Sequence, residues 1–427
     1  MKSSSTGLAA VAASPIAAPF IARGQVDQSP IKVGLIGCGG RGSGAAAQAM
    51  KADDNAILWS MGDAFGSKLE GSRNRFERGE RGKAGKVQVA EERRFVGVDA
   101  FQKVIESGVD MVILATPPGF RPQHLKAAVD AGKHVFCEKP MAVDVAGVQS
   151  VMESVKKSKQ QGTSLVAGFC WRYSASRMAA MERVMRGDIG QVRSFYATYL
   201  TSPVKPMPPA DSRPEGMSDV EWQVRNWYNF SWLGGDGIVE QAVHSIDKIS
   251  WAMGDQPCVA ARGNGGRQLP NHEGNIFDHI DVTYEYPNGV LAFLGQRQIP
   301  QCFNENGDYI LGSNGRCVIN GDRVELENLQ GNSMWRFRSK DDNDMYQAEH
   351  DHLFAAIRKG EPVNDGDRMA TSTMLAIMGR DSAYSGQRIT WDGAMKSATD
   401  LAPDDLKFGD SFDPGPVPLP GVVNKPA

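Results

Sequence analysis

The sequence predicts an α/β chain of two domains: a parallel sheet covered by helices on both faces, then an α+β domain with a largely antiparallel, open-faced sheet. Three observations predict it. Strand and helix patterns alternate from Lys32 to Ala167, which gives a parallel sheet. A glycine loop, Gly37-Cys38-Gly39-Gly40-Arg41-Gly42, joins the first strand to the first helix. After Trp171 the pattern changes, and beyond Gln256 it becomes strand and turn. A chain of 427 residues is too long for one ordinary domain. The boundaries are drawn at 29–168 and 169–398, with a leader over 1–28 and a Pro-rich tail over 399–427.

The first strand, Lys32–Ile36, is apolar and runs into the loop. Gly37 permits the tight turn, Gly39 lets the backbone approach a pyrophosphate, and Gly42 lets helix and strand pack closely. The helix that follows, Ser43–Met50, would hold the pyrophosphate on its N-terminal amides. The second strand, Ala56–Met61, leads to Asp63, a little beyond the roughly 20-residue spacing expected of a ribose-binding acid. A carboxylate there accepts both ribose hydroxyls and repels a 2′-phosphate, which favours NAD over NADP. The alternative is a helix N-cap. Arg94–Val98 is a short strand, and the charged stretch from Arg73 to Arg94 reads as a helix plus a solvated insertion. The fourth strand, Asp110–Ala115, is apolar enough to be buried on both faces, and Thr116-Pro117 ends it beside the cofactor. With Arg41 and Glu138, the cofactor set is Gly37, Gly39, Gly40, Arg41, Gly42, Asp63, Thr116, Pro117, Glu138 and Lys139.

Lys139 is the residue on which the chemistry turns. It lies in Gly132-Lys133-His134-Val135-Phe136-Cys137-Glu138-Lys139-Pro140, just beyond the fifth strand. A lone lysine at a strand end is ordinarily a surface residue. Downstream of a dinucleotide loop it stands at the carboxyl edge of the sheet, where ligands bind. Helix Val143–Lys159 and strand Ser164–Gly168 complete the domain.

In the second domain, helix Ala175–Arg186 leads to strand Val192–Leu200 and a Pro-rich loop, Ser202–Pro214. Ile280–Tyr286 alternates, Pro287-Asn288-Gly289 turns, and Val290–Leu294 returns. Asn314-Gly315 and Asn320-Gly321 mark further hairpins. Helices Tyr346–Arg358 and Asp367–Ser385 close the domain. Ahead of the hairpins, Gly234-Gly235-Asp236-Gly237 introduces one helix from Ile238 to Asp255. Its spacing places Glu240, His244, Asp247 and Trp251 on one stripe. Polar stripes normally face water, but a histidine, two acids and a tryptophan suit a cleft. Histidine can take a proton from a hydroxyl as hydride leaves.

Composition excludes several classes. Hydrophobic residues make up 41% and charged residues 23%, a globular balance. A net charge of −3 gives no reason for nucleic acid or an anionic membrane as partner. No apolar run of about 18 residues lies beyond the N-terminus. The 6 cysteines show no zinc spacing. His350 and His352 fall two apart on a helix and face away from each other, so no metal site is expected. Residues Met1–Arg23 have the outline of an export signal and resemble the latter part of a twin-arginine signal without its arginine pair. The alternatives are a periplasmic or exported protein and a cytoplasmic one with a disordered leader.

Glu138-Lys139-Pro140, the glycine loop and the acid-x-x-x-His-x-x-Asp pattern of Glu240, His244 and Asp247 together resemble the Gfo/Idh/MocA oxidoreductases, over roughly residues 30 to 395. The resemblance implies a Rossmann domain followed by an open-faced sheet domain, and NAD(P)-dependent chemistry on sugars and cyclitols. It implies Lys139 and His244 as catalytic residues. Glu240 stands where many members have Asp. Phe169-Cys170-Trp171-Arg172-Tyr173 matches the segment bordering the active site, so Arg172, Tyr173, Glu240 and Asp247 are expected to orient the substrate ring. Arg225 and Trp227 have two readings: packing of the long loop, or hydroxyl binding and sugar stacking. The leading function is a dehydrogenase acting on a ring hydroxyl. Its rivals are an NAD-dependent glycoside hydrolase using transient oxidation and a non-enzymatic NAD-binding module. An exposed sheet face predicts a homodimer or homotetramer.

Overall fold

Apolar strands short enough to be buried on both faces set the first layer. In the computed structural model, which describes residues 28–80, 84–269, 273–401 and 407–422, the strands are β1 (Ile31–Ile36), β2 (Ala56–Asp63), β3 (Arg94–Val96), β4 (Met111–Leu114), β5 (His134–Cys137) and β6 (Leu165–Ala167), all largely buried except the edge strand β3. The expected leader lies outside the described residues except for Gln28. All six strands pair in parallel, in the order β3-β2-β1-β4-β5-β6. The order reverses between β1 and β4, and that switch point is where an open α/β sheet binds its ligand. Helices α1 (Gly40–Ala52), α2 (Gly66–Glu77), α3 (Ala100–Glu106), α4 (Arg121–Asp130) and α5 (Val145–Gln161) make the crossovers.

The second sheet is built by alternation. After α6 (Ala175–Met185) comes β7 (Val192–Thr201), whose Phe195, Ala197 and Tyr199 are buried while Tyr196 is exposed. A long excursion carries α7 (Asp219–Arg225), α8 (Ser231–Gly234), α9 (Gly237–Glu240) and α10 (Val243–Ala252). Strands β8 (Ala260–Gly266), β9 (His279–Glu285), β10 (Leu291–Gln298), β11 (Gly307–Gly312), β12 (Gly315–Asn320), β13 (Arg323–Asn328) and β14 (Ser333–Arg336) follow. Helices α11 (Met345–Lys359) and α12 (Gly366–Ser385), strand β15 (Ile389–Thr390) and α13 (Trp391–Met395) come last. The nine strands lie in the order β14-β13-β12-β11-β7-β10-β9-β8-β15. Only β7 and β10 are parallel; the other pairs are antiparallel, as expected of a largely antiparallel sheet. Helices α10 and α12 cover one face, and α11 returns to pack on α1. On the other face Tyr196, Phe293 and Leu311 are exposed.

Two differences from the sequence reading matter for the site, and the described part of the tail packs on the body. The helix expected over Ile238–Asp255 is broken. The amides of Gln241 and Ala242 both donate to the carbonyl of Gly237, at 3.0 Å each, so the turn widens by one residue and α10 restarts at Val243. The returning strand runs on through Gly295 to Gln298 rather than stopping at Leu294. The tail is docked. Phe408 stacks on Phe65 with ring centroids 5.1 Å apart, and Phe412 meets Trp232 edge-on at 5.4 Å. Both belong to an apolar cluster with Val220, Val224 and Phe230. No helix among the described residues is long and apolar enough to cross a membrane.

Candidate active site

The glycine loop follows β1 at the switch point. Gly37 has φ +95°, and a Cβ there would lie 2.6 Å from the Ala115 carbonyl carbon. A Cβ on Gly42 would lie 2.0 Å from the Gly37 oxygen. Both positions therefore need glycine. Gly39 and Gly40 differ: a Cβ on either meets nothing within 4 Å. Open space thus faces the start of α1, whose N-cap is Gly39, a residue with no side chain to occupy it. A pyrophosphate fits such a cradle of backbone and positive dipole end.

Asp63 ends β2 beside this loop. Its Oδ2 accepts the Cys38 amide at 2.7 Å and its Oδ1 accepts the Phe65 amide at 2.9 Å. It caps no helix, since α2 begins with Phe65 at its N-cap. Each oxygen keeps a further lone pair for a ribose hydroxyl. Burial raises the Asp63 carboxyl pKa, against the lowering effect of those two amides. Thr116, after β4, approaches His124 Nδ1 with its hydroxyl at 3.1 Å, and its carbonyl accepts Arg121; Pro117 follows it into the turn before α4. Arg41 and Glu138, expected against the cofactor, are bonded to each other. Arg41 also reaches Glu349 Oε1 at 2.7 Å and lies 4.8 Å from the Tyr346 ring centroid. The cause is the burial of both carboxylates, which require a counter-charge.

Lys139 stands two residues beyond β5. Its ammonium donates to Glu240 Oε1 at 2.9 Å and to the Glu240 carbonyl, and both side chains are 10% exposed. His244 opens α10 on the same side. Its imidazole lies 6.0 Å from the Trp171 ring, nearly coplanar, and edge-on to Phe169 at 6.2 Å. Burial drives its pKa well below the ordinary value, and the cations Lys139, Lys248 and Arg41 push it further down. The ring is therefore neutral at neutral pH. Nδ1 is sealed from solvent without a partner, which leaves Nε2 as the nitrogen able to take a proton. One turn on, fully buried Lys248 bonds Asp308 and lies 3.6 Å over Trp171. Burial pulls its pKa to about 8 even with Asp308 beside it. The sequence reading missed this lysine because an isolated lysine on a helix normally signals solvent.

Other expected substrate contacts are placed elsewhere. Arg172 is locked between two carboxylates: Nε and Nη2 bond Asp247 at 2.8 and 2.9 Å, and Nη1 bonds Asp255 at 3.0 Å. Asp247 also accepts Ser372 at 2.8 Å. A buried guanidinium needs acceptors, and these two carboxylates supply them. Tyr173 donates to Asp365 at 2.9 Å and faces His352. The sequence reading set all three against the substrate ring; here each is bonded to protein partners. The broken helix explains Asp247, since Glu240 no longer shares a continuous stripe with it. Arg225 pairs with Glu221 at 2.6 Å and lies 4.1 Å over the ring of Phe65, whose amide is bonded to Asp63. Trp227 packs on Tyr228 at 5.1 Å, with the Lys205 ammonium 5.1 Å above its ring.

A structural role for Arg172 has a measurable consequence. Arg172→Ala leaves the Asp247 carboxylate buried without its partner, and destabilises the fold by about 3–5 kcal/mol. Urea unfolding should show the loss, with KM unchanged in the protein that folds. A raised KM at unchanged stability would return Arg172 to the substrate.

The family described as an oxidoreductase family with an NAD-binding Rossmann fold matches residues 31–165, and the GFO/IDH/MocA C-terminal domain matches residues 178–318. Inositol 2-dehydrogenase of Rhizobium meliloti is 22% identical over 348 residues, covering 79% of this chain and 92% of that enzyme. The 2,7-anhydro-N-acetylneuraminate hydratase of Escherichia coli is 25% identical over 242 residues, 56% of this chain and 57% of that protein. The WlbA dehydrogenase of Bordetella pertussis, solved in complex with NADH and UDP-GlcNAcA, superposes with a TM-score of 0.64 at 20% identity, covering 84% of this chain and 98% of that one. At that identity the likeness is one of fold.

Proposed function

The chain belongs to the Gfo/Idh/MocA oxidoreductases, and from that membership we propose that it moves hydride between a ring hydroxyl of a sugar, glycoside or cyclitol and NAD. One observation carries the reading: an ammonium, Lys139, and a neutral imidazole, His244, stand together beyond the carboxyl edge of a nucleotide-binding sheet. Gly37, Gly39, Gly40 and Gly42 would receive the pyrophosphate, and Asp63 the adenosine ribose. NAD supplies the hydride acceptor at its nicotinamide ring. Lys139 exchanges a bond to Glu240 for one to the reacting oxygen and stabilises charge developing there. His244 accepts the hydroxyl proton at Nε2. Trp171 and Phe169 hold the imidazole in orientation.

The test is direct. Purified protein with NAD and a panel of monosaccharides and cyclitols should accumulate NADH in proportion to substrate consumed. A second reading, transient oxidation with the hydride returned, is supported by the name of the Escherichia coli relative, a hydratase, because hydration involves no net redox change. Turnover of a glycoside or anhydrosugar without NADH accumulation would establish that reading instead.

Cofactor choice follows from Asp63. A carboxylate repels a 2′-phosphate, so NAD should be used with the higher kcat/KM. Asp63→Ser should narrow the ratio, measured with both cofactors at fixed substrate; an unchanged ratio would remove Asp63 from cofactor selection. Assembly follows from the open sheet face. Tyr196, Phe293 and Leu311 form an exposed apolar group suited to an interface between copies. Light scattering at micromolar concentration should report a dimer or tetramer, and a monomer would count against this.

A further inference from the structure

The parallel pair β7 and β10 ends in a polar group that the mechanism above does not use. Gln296 lies opposite Tyr199, and Gln298 opposite Thr201. By alternation, these side chains project from the covered face of the sheet, with Phe195, Ala197, Ala292 and Leu294. They stand at the carboxyl ends of the two strands, against the start of α9. A Cβ on Gly237 would lie 2.7 Å from Gln296 Nε2 and 3.4 Å from Gln298 Nε2. Tyr228 completes the group, its hydroxyl beside both Gln298 and Glu240. Glu240 in turn holds Lys139, so the group borders the reacting centre.

Tyr199 donates to Gln241 Oε1 at 2.7 Å. Both ends of the Gln296 carboxamide and Thr201 Oγ1 are sealed from solvent and make no hydrogen bond, and the Tyr228 hydroxyl lies against Gln298 and Glu240. Gln296 is 1% exposed, Tyr228 3% and Gln298 6%. Buried polar atoms are nearly always paired, so a cluster of unpaired ones needs an explanation. An ordinary packed core would place apolar side chains here, as the same strands do at Ala197 and Leu294.

We propose that Thr201, Tyr228, Gln296 and Gln298 form a specificity floor that receives uncharged hydroxyls of the substrate ring, away from the carbon served by Lys139 and His244. The proposal rests on the sugar or cyclitol reading above and narrows its substrate class. Hydroxyls both donate and accept, and the floor offers both roles. None of its four residues is charged, and the neighbouring Glu240 repels an anion. Lys205 is not one of the four; its ammonium stands above Trp227. An uncharged polyol or glycoside therefore fits, whereas a sugar acid or sugar phosphate would bury its charge without a partner.

Titration calorimetry on the NADH-loaded protein, which holds no hydride acceptor, tests the floor independently of turnover. The probes are myo-inositol, D-glucose, D-galactose and D-xylose, with D-glucuronate and glucose 6-phosphate as charged counterparts. At least one neutral probe should bind, and more tightly than either charged one. Tyr228→Phe and Gln298→Leu should each weaken it roughly tenfold to a hundredfold, with NADH affinity and the circular dichroism spectrum unchanged. Binding that is equal in wild type and both variants, preference for a charged probe, or no neutral probe bound would each overturn the floor. Parallel NADH measurements separate the two ideas: neutral binding lost in the variants but no NADH from wild type keeps the floor and sinks the dehydrogenase reading.

Discussion

His244→Ala should lower kcat by roughly a hundred- to ten-thousandfold and leave NADH affinity at the wild-type value. The imidazole lies against Phe169 and Trp171 and near Lys139, while the cradle for the cofactor is the separate glycine loop after β1. Added imidazole should restore part of the rate, which a purely structural loss would not allow. The pH profile of wild type carries the same information. Protonation removes the base, and burial together with Lys139, Lys248 and Arg41 lowers the His244 pKa well below its ordinary value. Activity should therefore persist as pH falls through about 6.5, the unperturbed histidine value, and decline only at more acidic pH. An acid limb centred at the unperturbed value would mean that a solvent-exposed group, not His244, is the base.

The parts of this site legible in the sequence are those set by local constraints. Gly37 and Gly42 read correctly because a tight turn and a close helix–strand approach leave no room for a side chain, and the structure shows both contacts. Lys139 could be placed because a parallel strand delivers whatever follows it to one edge of the sheet. Arg172 and Asp247 could not be read. Their residue types suit a sugar pocket and a buried ion pair equally well, and the choice depends on Asp255 and Ser372 meeting them in space. The widened turn at Gln241 and Ala242 was equally silent. It depends on a shared Gly237 carbonyl, whereas helical periodicity assumes an unbroken 3.6-residue repeat. Gln296 and Gln298 left a trace that the strand boundary hid. They continue the alternation of Ala292 and Leu294, but Gly295 resembles a strand end.

Lys139→Met should reduce kcat on the order of a hundredfold or more, by removing the cation beside the developing oxyanion. It should also destabilise the fold, because Lys139 and Glu240 form a pair only 10% exposed on each side. Removing one partner of a buried pair costs about 3–5 kcal/mol, so a slow variant could simply be a poorly folded one. The double variant Lys139→Met with Glu240→Gln separates the effects. It eliminates the unpaired carboxylate, and urea unfolding should return most of the lost stability. The rate should stay low, since no cation is regained. Single-turnover measurements with NAD bound would place the defect in the chemical step. Recovery of rate together with stability in the double variant would make Lys139 a structural partner of Glu240 and shift the electrostatic role to another cation, with Lys248, which influences the His244 pKa, as the next residue to replace.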